Sequence, residues 1–285
     1  MAIIRNKSFT DIKPLLYLVA TPIGNLDEFS LRAQKVLNEM DYVASEDTRN
    51  TKKLLSLFNI YKPLISLHEH NEKEASQKVI ELLKNGNKVA YVSDAGYPAI
   101  SDPGQKLVKE ALKNEINVSV VSGSNAMLNA LVASGFDTSH FYFYGFLDAR
   151  KSQRENQLSE LKSMQNTIIF YESPHRIMDT LKSMNKILGN RDICIARELT
   201  KIHEEYIHAP LDEIINIDET TLIGEMVIVV EGNYSKEELN DEDIIQLAKK
   251  MMSEDKTLSK KDISKLLSEQ LKISKNRIYS LIINI

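Results

Sequence analysis

A regular alternation of short apolar runs and helix-periodic segments is the feature that most constrains how this chain folds. Between the first runs, apolar residues such as Phe29, Ala33 and Val36 recur at helical spacing. The runs themselves have strand length and lie at residues 15–20, 41–45, 63–67, 88–92, 118–121, 141–146, 167–171, 193–197, 206–208 and 226–230. Strands that alternate with helices predict an α/β protein with substantially parallel sheets.

The alternation divides into two blocks, and a different segment follows them. Ser122-Gly123 forms a turn between the blocks, so we predict α/β domains at residues 1–122 and 123–234. Residues 235–285 show no strand pattern and predict three short helices, with a capping box at Ser259 and Asp262 and a cap at Ser274. We expect a small helix-turn-helix-like module there. Its apolar faces are Ile263, Leu266 and Leu267 on one helix and Ile278, Leu281 and Ile282 on the next.

The charge is unevenly distributed along the 285 residues. The whole chain has a formal net charge of −4, but the segment from Lys256 to Ile285 holds seven basic and two acidic residues. A basic C-terminal segment on an otherwise acidic chain indicates an anionic partner, such as RNA phosphate. A solvated helical surface is the alternative that charge alone leaves open.

The composition excludes several classes of protein. Hydrophobic residues make up 42% and charged residues 27% of the chain, which is typical of a globular protein. Cys194 is the only cysteine, which excludes an intrachain disulfide framework and a multi-cysteine metal site. Neither a membrane-length apolar stretch nor a signal-peptide pattern is present. We therefore expect a cytoplasmic protein without membrane association.

Two loops rich in glycine and proline follow predicted strands, at residues 21–25 and 93–104. Loops at the carboxyl ends of parallel strands are where α/β proteins bind ligands. The G-x-G-x-x-G, P-loop and G-x-S-x-G patterns are all absent. The loops therefore suit a neutral or zwitterionic small molecule better than a polyphosphate, unless they serve only as turns.

Polar clusters mark further strand ends. His68 and His70 are predicted on one strand face, but a third metal ligand is missing, so we expect no metal site. Residues 172–176 and 197–201 each combine a carboxylate with a basic residue, and they form either buried ion pairs or a polyanion site. Ser173 and Pro174 predict a helix start.

Seven ordered motifs carry a resemblance to a known family. They are YLVATPIGNLDEFSLR (17–32), SEDTR (45–49), HEHN (68–71), VSDAGYPAISDPG (92–104), FYESPHRI (170–177), ARELTKIHE (196–204) and GEMVIVVEG (224–232). Together they resemble the ribosomal RNA small subunit methyltransferase I family, which is part of the tetrapyrrole-methylase-like (class III) S-adenosylmethionine-dependent methyltransferases. One departure is Ser122-Gly123-Ser124, where the family usually has a Pro-Gly-Pro-type turn.

The resemblance implies both a fold and a reaction. It implies two α/β domains of the tetrapyrrole methylase type with S-adenosyl-L-methionine in the cleft between them, in a homodimer. It also implies 2′-O-methylation of a cytidine ribose in the decoding region of 16S rRNA (position 1402 in the usual rRNA numbering), with the small ribosomal subunit as partner. The cofactor contacts expected are Thr21, Pro22, Gly24, Asp94, Ala95, Gly96, Ile100, Ser101, Ser124, Asn125, Ala126, Tyr171 and Arg197.

The remaining site residues are expected on the RNA side of the cleft. A ribose hydroxyl is a weak nucleophile that benefits from a base or from charge stabilisation. The candidates for this role are Glu172, His175, Glu198 and Lys201, and the candidates for substrate binding are Asn25, Arg49, His68, His70 and Arg176. Asp94 follows a predicted strand, so we expect its carboxylate to reach the cleft.

Two other functions remain open at the level of sequence. The same fold would also suit C-methylation of a tetrapyrrole, as in the wider superfamily. A non-catalytic RNA-binding assembly factor is the alternative that is not an enzyme. The basic end favours an RNA substrate over a small macrocycle, and measured S-adenosylmethionine binding would count against the assembly factor.

Overall fold

A computed structural model describes residues 15–234, 241–254, 258–271 and 274–283. The chain forms two compact units, Met1–Gly232 and Asn233–Ile285. The first unit holds two five-stranded sheets, and the second is helical within its described residues. Among the described residues, no helix is long and apolar enough to cross a membrane.

The first sheet is entirely parallel and has the strand order β3-β2-β4-β1-β5. Its strands are β1 Leu15–Val19, β2 Tyr42–Ser45, β3 Leu64–Ser66, β4 Val89–Val92 and β5 Asn117–Val121. The helices that cover it are α1 Leu31–Glu39, α2 Thr48–Leu57, α3 Glu72–Lys84 and α4 Gln105–Lys113. One apolar core packs α1 and α2 against the sheet and another packs α3 and α4 against it, so the strand ends remain free for loops.

The second sheet is mixed, with the order β6-β7-β10-β8-β9. Its strands are β6 Phe141–Phe146, β7 Thr167–Glu172, β8 Asp192–Arg197, β9 Glu205–Pro210 and β10 Met226–Val230, and its helices are α5 Ala126–Ser134, α6 Lys151–Leu161, α7 Ile177–Leu188 and α8 Leu211–Ile214. Only β6 and β7 pair in parallel. The prediction of substantially parallel sheets is therefore wrong for this half. The seven residues between β8 and β9 are too few for a parallel crossover, which needs a dozen or more.

The two sheets lie on either side of residues 122–125, near the predicted boundary. Both nevertheless fall within one compact unit, so the division of this region into two domains stays a prediction.

The predicted start of the helix after β7 is wrong. The helix expected at Ser173 begins only at Ile177, because Ser173–Arg176 forms a turn in which the Ser173 carbonyl accepts the backbone N–H groups of Arg176 and Ile177.

The second unit contains the three predicted helices, α9 Asp241–Glu254, α10 Lys260–Leu271 and α11 Lys275–Ile282. Ser259 and Asp262 form the predicted capping box, because each accepts the other's backbone N–H at 3.2 Å. The buried core of this unit consists of Ile244, Ala248, Ile263, Leu267, Ile278 and Ile282. Leu266, which was expected on the apolar face, is 42% exposed. Lys256 and Lys272 lie outside the described residues.

Candidate active site

A cleft of about 390 Å³ lies within the first unit, between loops of the two sheets. The first sheet contributes Ile23, Asn125, Ala126 and the loop 95–102, all of which follow the carboxyl ends of parallel strands. The second sheet contributes Phe146, Tyr171, Glu172, Ser173, Pro174, Leu199, Glu225, Met226 and Val227. This position at the ends of parallel strands is where α/β proteins bind small ligands.

The two glycine-proline loops of the first sheet are joined to each other. The backbone N–H of Thr21 donates to the Gly96 carbonyl at 2.9 Å, and the N–H of Gly96 returns a bond to the Thr21 carbonyl at 3.1 Å. The Thr21 hydroxyl also donates to the Ser93 carbonyl at 3.2 Å. Gly96 has a φ of +70°, in the region that favours glycine. Because glycine has no side chain, this turn places the backbone of Gly96 directly at the surface of the cleft.

Two hydrogen bonds fix the C-terminal end of the loop 93–104. Oε1 of the buried Glu72 accepts the Gly104 N–H at 2.9 Å, and the Tyr91 hydroxyl donates to the Pro103 carbonyl at 2.8 Å. Between these anchors and Gly96, the loop contains two strained residues, Ala99 with φ +68° and Ser101 with φ +58°. Strain at non-glycine residues persists only where the surroundings enforce it, and it concentrates at functional sites.

The opposite wall is fixed by an ion-pair network. The Lys201 ammonium lies 2.9 Å from Oε1 of Glu198 and 3.2 Å from Oε2 of Glu225. Glu198 has a φ of +50°. Gly24 packs closely on this loop, because a Cβ at Gly24 would lie 2.6 Å from Cγ of Lys201. Glu198 and Lys201 thus form an ion pair that is partly exposed rather than buried, and the role of this cluster stays a prediction.

The charge of the cleft is one-sided. Among the residues that the structure describes, its lining includes the carboxylates Asp102, Glu172 and Glu225 but no lysine, arginine or histidine. Burial, together with the negative charges of Glu46 and Asp94, raises the pKa of Asp102 to about 6. Lys201 pairs with Glu225 and Arg176 lies 3.4 Å from Glu172, so Asp102 is the lining carboxylate to which the described residues supply no cation, and its charge favours a cationic ligand.

The predicted cofactor contacts divide into two groups. Those that line the cleft are Ala95, Gly96, Ile100, Ser101, Asn125, Ala126 and Tyr171. Those outside the lining are Thr21, Pro22, Gly24, Asp94, Ser124 and Arg197. Within the second group, Thr21 and Gly24 shape the walls through the contacts described above. The Ser124 hydroxyl instead donates to Glu28 at 2.6 Å.

The side chains of Asp94 and Arg197 form hydrogen bonds with residues outside the cleft lining. The Asp94 carboxylate accepts the backbone N–H of Asp47 at 3.3 Å and the side-chain amide of Asn50 at 3.0 Å. In the structure the start of α2 holds this carboxylate and Asp94 lies outside the cleft lining, so its expected role in cofactor binding stays a prediction. Nε of Arg197 donates to Glu205 at 2.6 Å across the β8–β9 pair, away from the cleft lining.

The residues predicted to act as a base or to stabilise charge mostly bond other residues in the structure. The buried Glu172 receives the Ser173 N–H at 2.8 Å and the Thr180 hydroxyl at 2.6 Å, and Arg176 lies 3.4 Å from it. Glu198 and Lys201 pair with each other. His175 is exposed and lies outside the cleft lining.

The predicted substrate contacts are dispersed around the first unit. Asn25 caps a short 3-10 helix, and NH2 of Arg176 donates to the Leu147 carbonyl at 2.6 Å. His68 and His70 lie in a turn beyond β3 rather than on a strand face, with ring centroids 6.0 Å apart. Arg49 lies on the first turn of α2, with an 85% exposed side chain. Across the described ranges, no cluster of three metal-ligating side chains is found.

Four polar residues of the cleft lining were not among the predicted site residues: Ser173, Glu225, Asp102 and Tyr97. Asp102 is the lining carboxylate to which the described residues supply no hydrogen-bond donor. The Tyr97 hydroxyl accepts the Gly123 N–H at 3.3 Å and so links two of the cleft loops. Asp102 and Tyr97 both lie in the motif 92–104, but only the folded loop shows which of its side chains face inward.

Comparisons with known proteins agree with this geometry. A family model described as Tetrapyrrole (Corrin/Porphyrin) Methylases matches residues 15–215. The chain is 51% identical over 229 residues to "Ribosomal RNA small subunit methyltransferase I" of Halalkalibacterium halodurans, covering 80% of this chain and 79% of that protein. It is 40% identical over 276 residues to the protein of the same name from Synechocystis sp., covering 94% of this chain and 96% of that protein.

A shorter relative and two solved structures complete the comparison. The Thermotoga maritima protein of the same name is 44% identical over 218 residues, which cover 76% of this chain and 98% of that protein. The first structure, uroporphyrin-III-C-methyltransferase from Thermus thermophilus, has a TM-score of 0.55 at 18% identity and covers 77% of this chain and 94% of its own. Diphthine synthase has a TM-score of 0.60 at 13% identity and covers 76% and 89%. At these identities the structures show the shared fold alone.

Proposed function

This chain belongs to the tetrapyrrole methylases and, within them, to the ribosomal RNA small subunit methyltransferase I family, and from that premise we propose that it methylates 16S rRNA. The reaction proposed is transfer of the methyl group of S-adenosylmethionine to the ribose 2′-hydroxyl of a cytidine in the decoding region. The observation that carries the proposal is the carboxylate of Asp102 in the cleft, to which the described residues supply no cation, because S-adenosylmethionine is a cationic ligand.

The residues of the cleft fit that cofactor. The volume lies within the usual range of small-molecule sites, roughly 300–1,000 Å³. Apolar side chains such as Ile23, Leu199 and Met226 suit a flat heterocycle, whereas Asn125 and the bare backbone at Gly96 supply polar contacts. The negative lining attracts a sulfonium and an ammonium group. S-adenosylmethionine supplies an already activated methyl group, so the protein's part is mainly positioning.

The best-placed proton acceptor is Asp102. Its carboxylate lines the cleft, and its oxygens are free to accept a hydrogen bond, unlike those of Glu172. A raised pKa of about 6 leaves Asp102 ionised at neutral pH and more basic than an ordinary carboxylate. A base with a pKa near the working pH is the most effective in proton transfer. In this proposal Asp102 takes the proton of the 2′-hydroxyl as the oxygen attacks the methyl group.

The other site residues would hold this arrangement in place. Glu72 and Tyr91 fix the loop that carries Asp102, and the Lys201 network fixes the opposite wall. Enzymes lose rate steeply when reactants are displaced by about an ångström, so such anchors act on the rate without touching the substrate.

The test is a methylation assay on small subunits from cells that lack the modification. Purified protein is incubated with these subunits and S-adenosylmethionine, and the 16S rRNA is digested and analysed by mass spectrometry. We expect one new ribose-methylated cytidine in the decoding region. Methylation of a tetrapyrrole without any methylation of rRNA would overturn the proposal, and so would a failure to bind S-adenosylmethionine in calorimetry.

A further inference from the structure

A second cavity of about 390 Å³ lies on the first unit, along α2 and the segment that leads into β3. Its floor contains the buried apolar residues Leu55 and Ile60. Its other lining residues are Thr48, Arg49, Lys52, Ser56, Tyr61, Lys62 and Leu64. We call this cavity the α2 groove. It contains three basic side chains and no acidic one, which is the reverse of the cleft.

Two of these cations are uncompensated. Lys52 and Lys62 have no carboxylate within ion-pair distance among residues that the structure describes. Arg49 does have one, because its Nε and NH2 atoms bond the Asp47 carboxylate at 3.1 and 2.7 Å. A guanidinium carries five N–H donors, so Arg49 retains three for another acceptor. The groove therefore has an excess of positive charge and several unused donors.

An exposed aromatic ring stands beside these cations. Tyr61 lines the groove with 73% of its surface exposed, although a tyrosine usually buries its ring. Phosphate-binding cations interleaved with an accessible aromatic ring are the means by which proteins hold single-stranded nucleic acid. The cations follow the backbone and the ring stacks on a base.

The groove is connected to the cleft. Asp47, the cap of α2, donates its backbone N–H to Asp94, which directly precedes the cleft residues Ala95 and Gly96. Arg49 thus stands on the first turn of the helix that braces the cofactor loop. An RNA strand whose target nucleotide enters the cleft beside Asp94 would therefore place its neighbouring nucleotides at the α2 groove.

We propose that the α2 groove binds single-stranded RNA next to the nucleotide that enters the cleft, with Arg49, Lys52 and Lys62 on phosphates and Tyr61 stacked on a base. The proposal deepens the proposed function, since it names a surface for the same substrate. It predicts a contribution to RNA affinity that depends on salt, and no contribution to the binding of S-adenosylmethionine.

The experiment removes the two uncompensated lysines in the full-length chain. Lys52→Ala/Lys62→Ala is compared with wild type for binding to a short fluorescent single-stranded RNA and to unmethylated small subunits across a salt series. We expect affinity to fall about tenfold at 0.1 M salt and the log–log salt slope to decrease by about 1.4, since each phosphate of a single strand that is no longer neutralised lowers the slope by about 0.7. Tyr61→Leu should weaken binding at every salt concentration, whereas Tyr61→Phe should retain it.

Lys78→Ala/Lys84→Ala is the matched control. Both lysines are exposed on α3, which packs on the other face of the first sheet. An equal loss of RNA affinity in this control would overturn the proposal, because overall charge would then explain the effect. Unchanged RNA affinity in Lys52→Ala/Lys62→Ala would overturn it as well, and so would displacement of the RNA by poly-glutamate at equal concentration.

Two further measurements separate this proposal from the proposed function. Thermal unfolding and calorimetry with S-adenosylmethionine should give wild-type values for both lysine pairs, and altered values in the groove pair alone would assign it a structural role instead. If wild type binds RNA through the groove but methylates no 16S rRNA, the proposed function fails and the groove stands. If wild type methylates the subunit and the groove pair does so with unchanged apparent affinity, the groove fails and the function stands.

Discussion

The cleft and the α2 groove have the same volume, about 390 Å³, but opposite charge and construction. The cleft is built from loops, some of them strained, and it carries three carboxylates without a basic side chain. The groove is built from a regular helix and the segment after it, and it carries three cations without a carboxylate. Under the two proposals, the first unit separates a cationic cofactor from a polyanionic substrate by placing their sites at different elements.

The two cavities also differ in what holds them. The loops of the cleft are fixed by a hydrogen bond that Glu72 accepts and by bonds that Tyr91 and Thr21 donate. A few contacts therefore set the geometry of the cleft. The groove rests on the core through Leu55 and Ile60, and two of its cations, Arg49 and Lys52, lie on α2. Substitutions in the cleft should therefore change rates and stability, whereas those in the groove should change affinity alone.

The largest effect is expected from Asp102→Asn, which keeps the shape of the cleft and removes its proton acceptor. We expect kcat to fall by about 10²- to 10⁴-fold, the usual contribution of general acid–base catalysis. The wild-type rate should decline as the pH falls through about 6, where Asp102 becomes protonated. Single-turnover assays across a pH series measure both effects. Retention of the wild-type rate in this variant would exclude Asp102 as the proton acceptor.

The same variant should be more stable than wild type. Because the pKa of Asp102 is raised in the folded state, its ionisation costs stability as the pH rises from about 4 to about 6. Asp102→Asn avoids that cost, so its unfolding free energy above pH 6 should exceed that of wild type by about 1 kcal/mol once solvent screening is discounted. The difference should vanish below about pH 4, which urea denaturation at several pH values would measure.

The largest effect on stability is expected at the anchor of the cleft loop. Gly104 has a φ of +123°, and a Cβ there would lie 2.4 Å from Cε1 of Tyr91. Gly104→Ala should therefore cost about 3 kcal/mol of unfolding free energy, from backbone strain and overpacking together. Gly86→Ala is the control, because Gly86 also has a positive φ but has no heavy atom within 4 Å of a Cβ. It should cost only about 1 kcal/mol. Equal losses in the two variants would mean that the Tyr91 contact does not matter.

The order of strands and helices could be predicted because periodicity is local, but strand direction could not. The alternation located every strand of both sheets, and each predicted run overlaps its observed strand. It could not show that β10 inserts between β7 and β8 in the opposite direction, since that depends on pairing between distant segments. The prediction of parallel strands came from the alternation rule, which the short β8–β9 connection overrides.

The candidate site shows the same division. The loops 21–25 and 93–104 were identifiable from glycine and proline, and they do form cleft walls. The direction of each side chain was not identifiable, because it depends on partners elsewhere in the chain. Asp94 bonds the start of α2, and Glu172 lines the cleft but accepts a bond from Thr180. Asp102, eight residues after Asp94, lines the cleft without a donor among the described residues. The catalytic roles of these residues stay predictions.

A smaller effect is expected from removal of the helical unit. In its described part, Lys260 donates to the Ile283 carbonyl at 2.9 Å and Arg277 pairs with Asp241 at 3.1 Å, so part of its basic charge stabilises the unit itself. A chain that ends after Asn233 should bind S-adenosylmethionine as wild type does. It should bind the small subunit severalfold more weakly, with the salt slope lower by about one unit for each phosphate that the truncated chain no longer neutralises.

The short Thermotoga maritima relative offers a comparison for this truncation. Its match covers 98% of its own length but only 76% of this chain, so that protein is barely longer than the matched region. If the truncated chain keeps the wild-type affinity and salt slope for the subunit, the basic end is only a solvated surface. RNA binding would then depend on the first unit, including the α2 groove.

The smallest effect is expected at Asp94, which lines neither cavity but links the cleft loop to the start of α2. Its negative charge is one of the causes that raise the pKa of Asp102, and its carboxylate also holds the start of α2. Asp94→Asn removes the charge and keeps an amide oxygen that can accept the Asp47 N–H. The pKa of Asp102 should then fall, so the acidic limb of the rate profile should move to lower pH while the affinity for S-adenosylmethionine stays close to that of wild type. Glu81→Gln, on the exposed face of α3, is the control and should leave the limb in place. A shift to higher pH in Asp94→Asn would contradict the assignment, because loss of a neighbouring negative charge can only make a carboxylate easier to ionise.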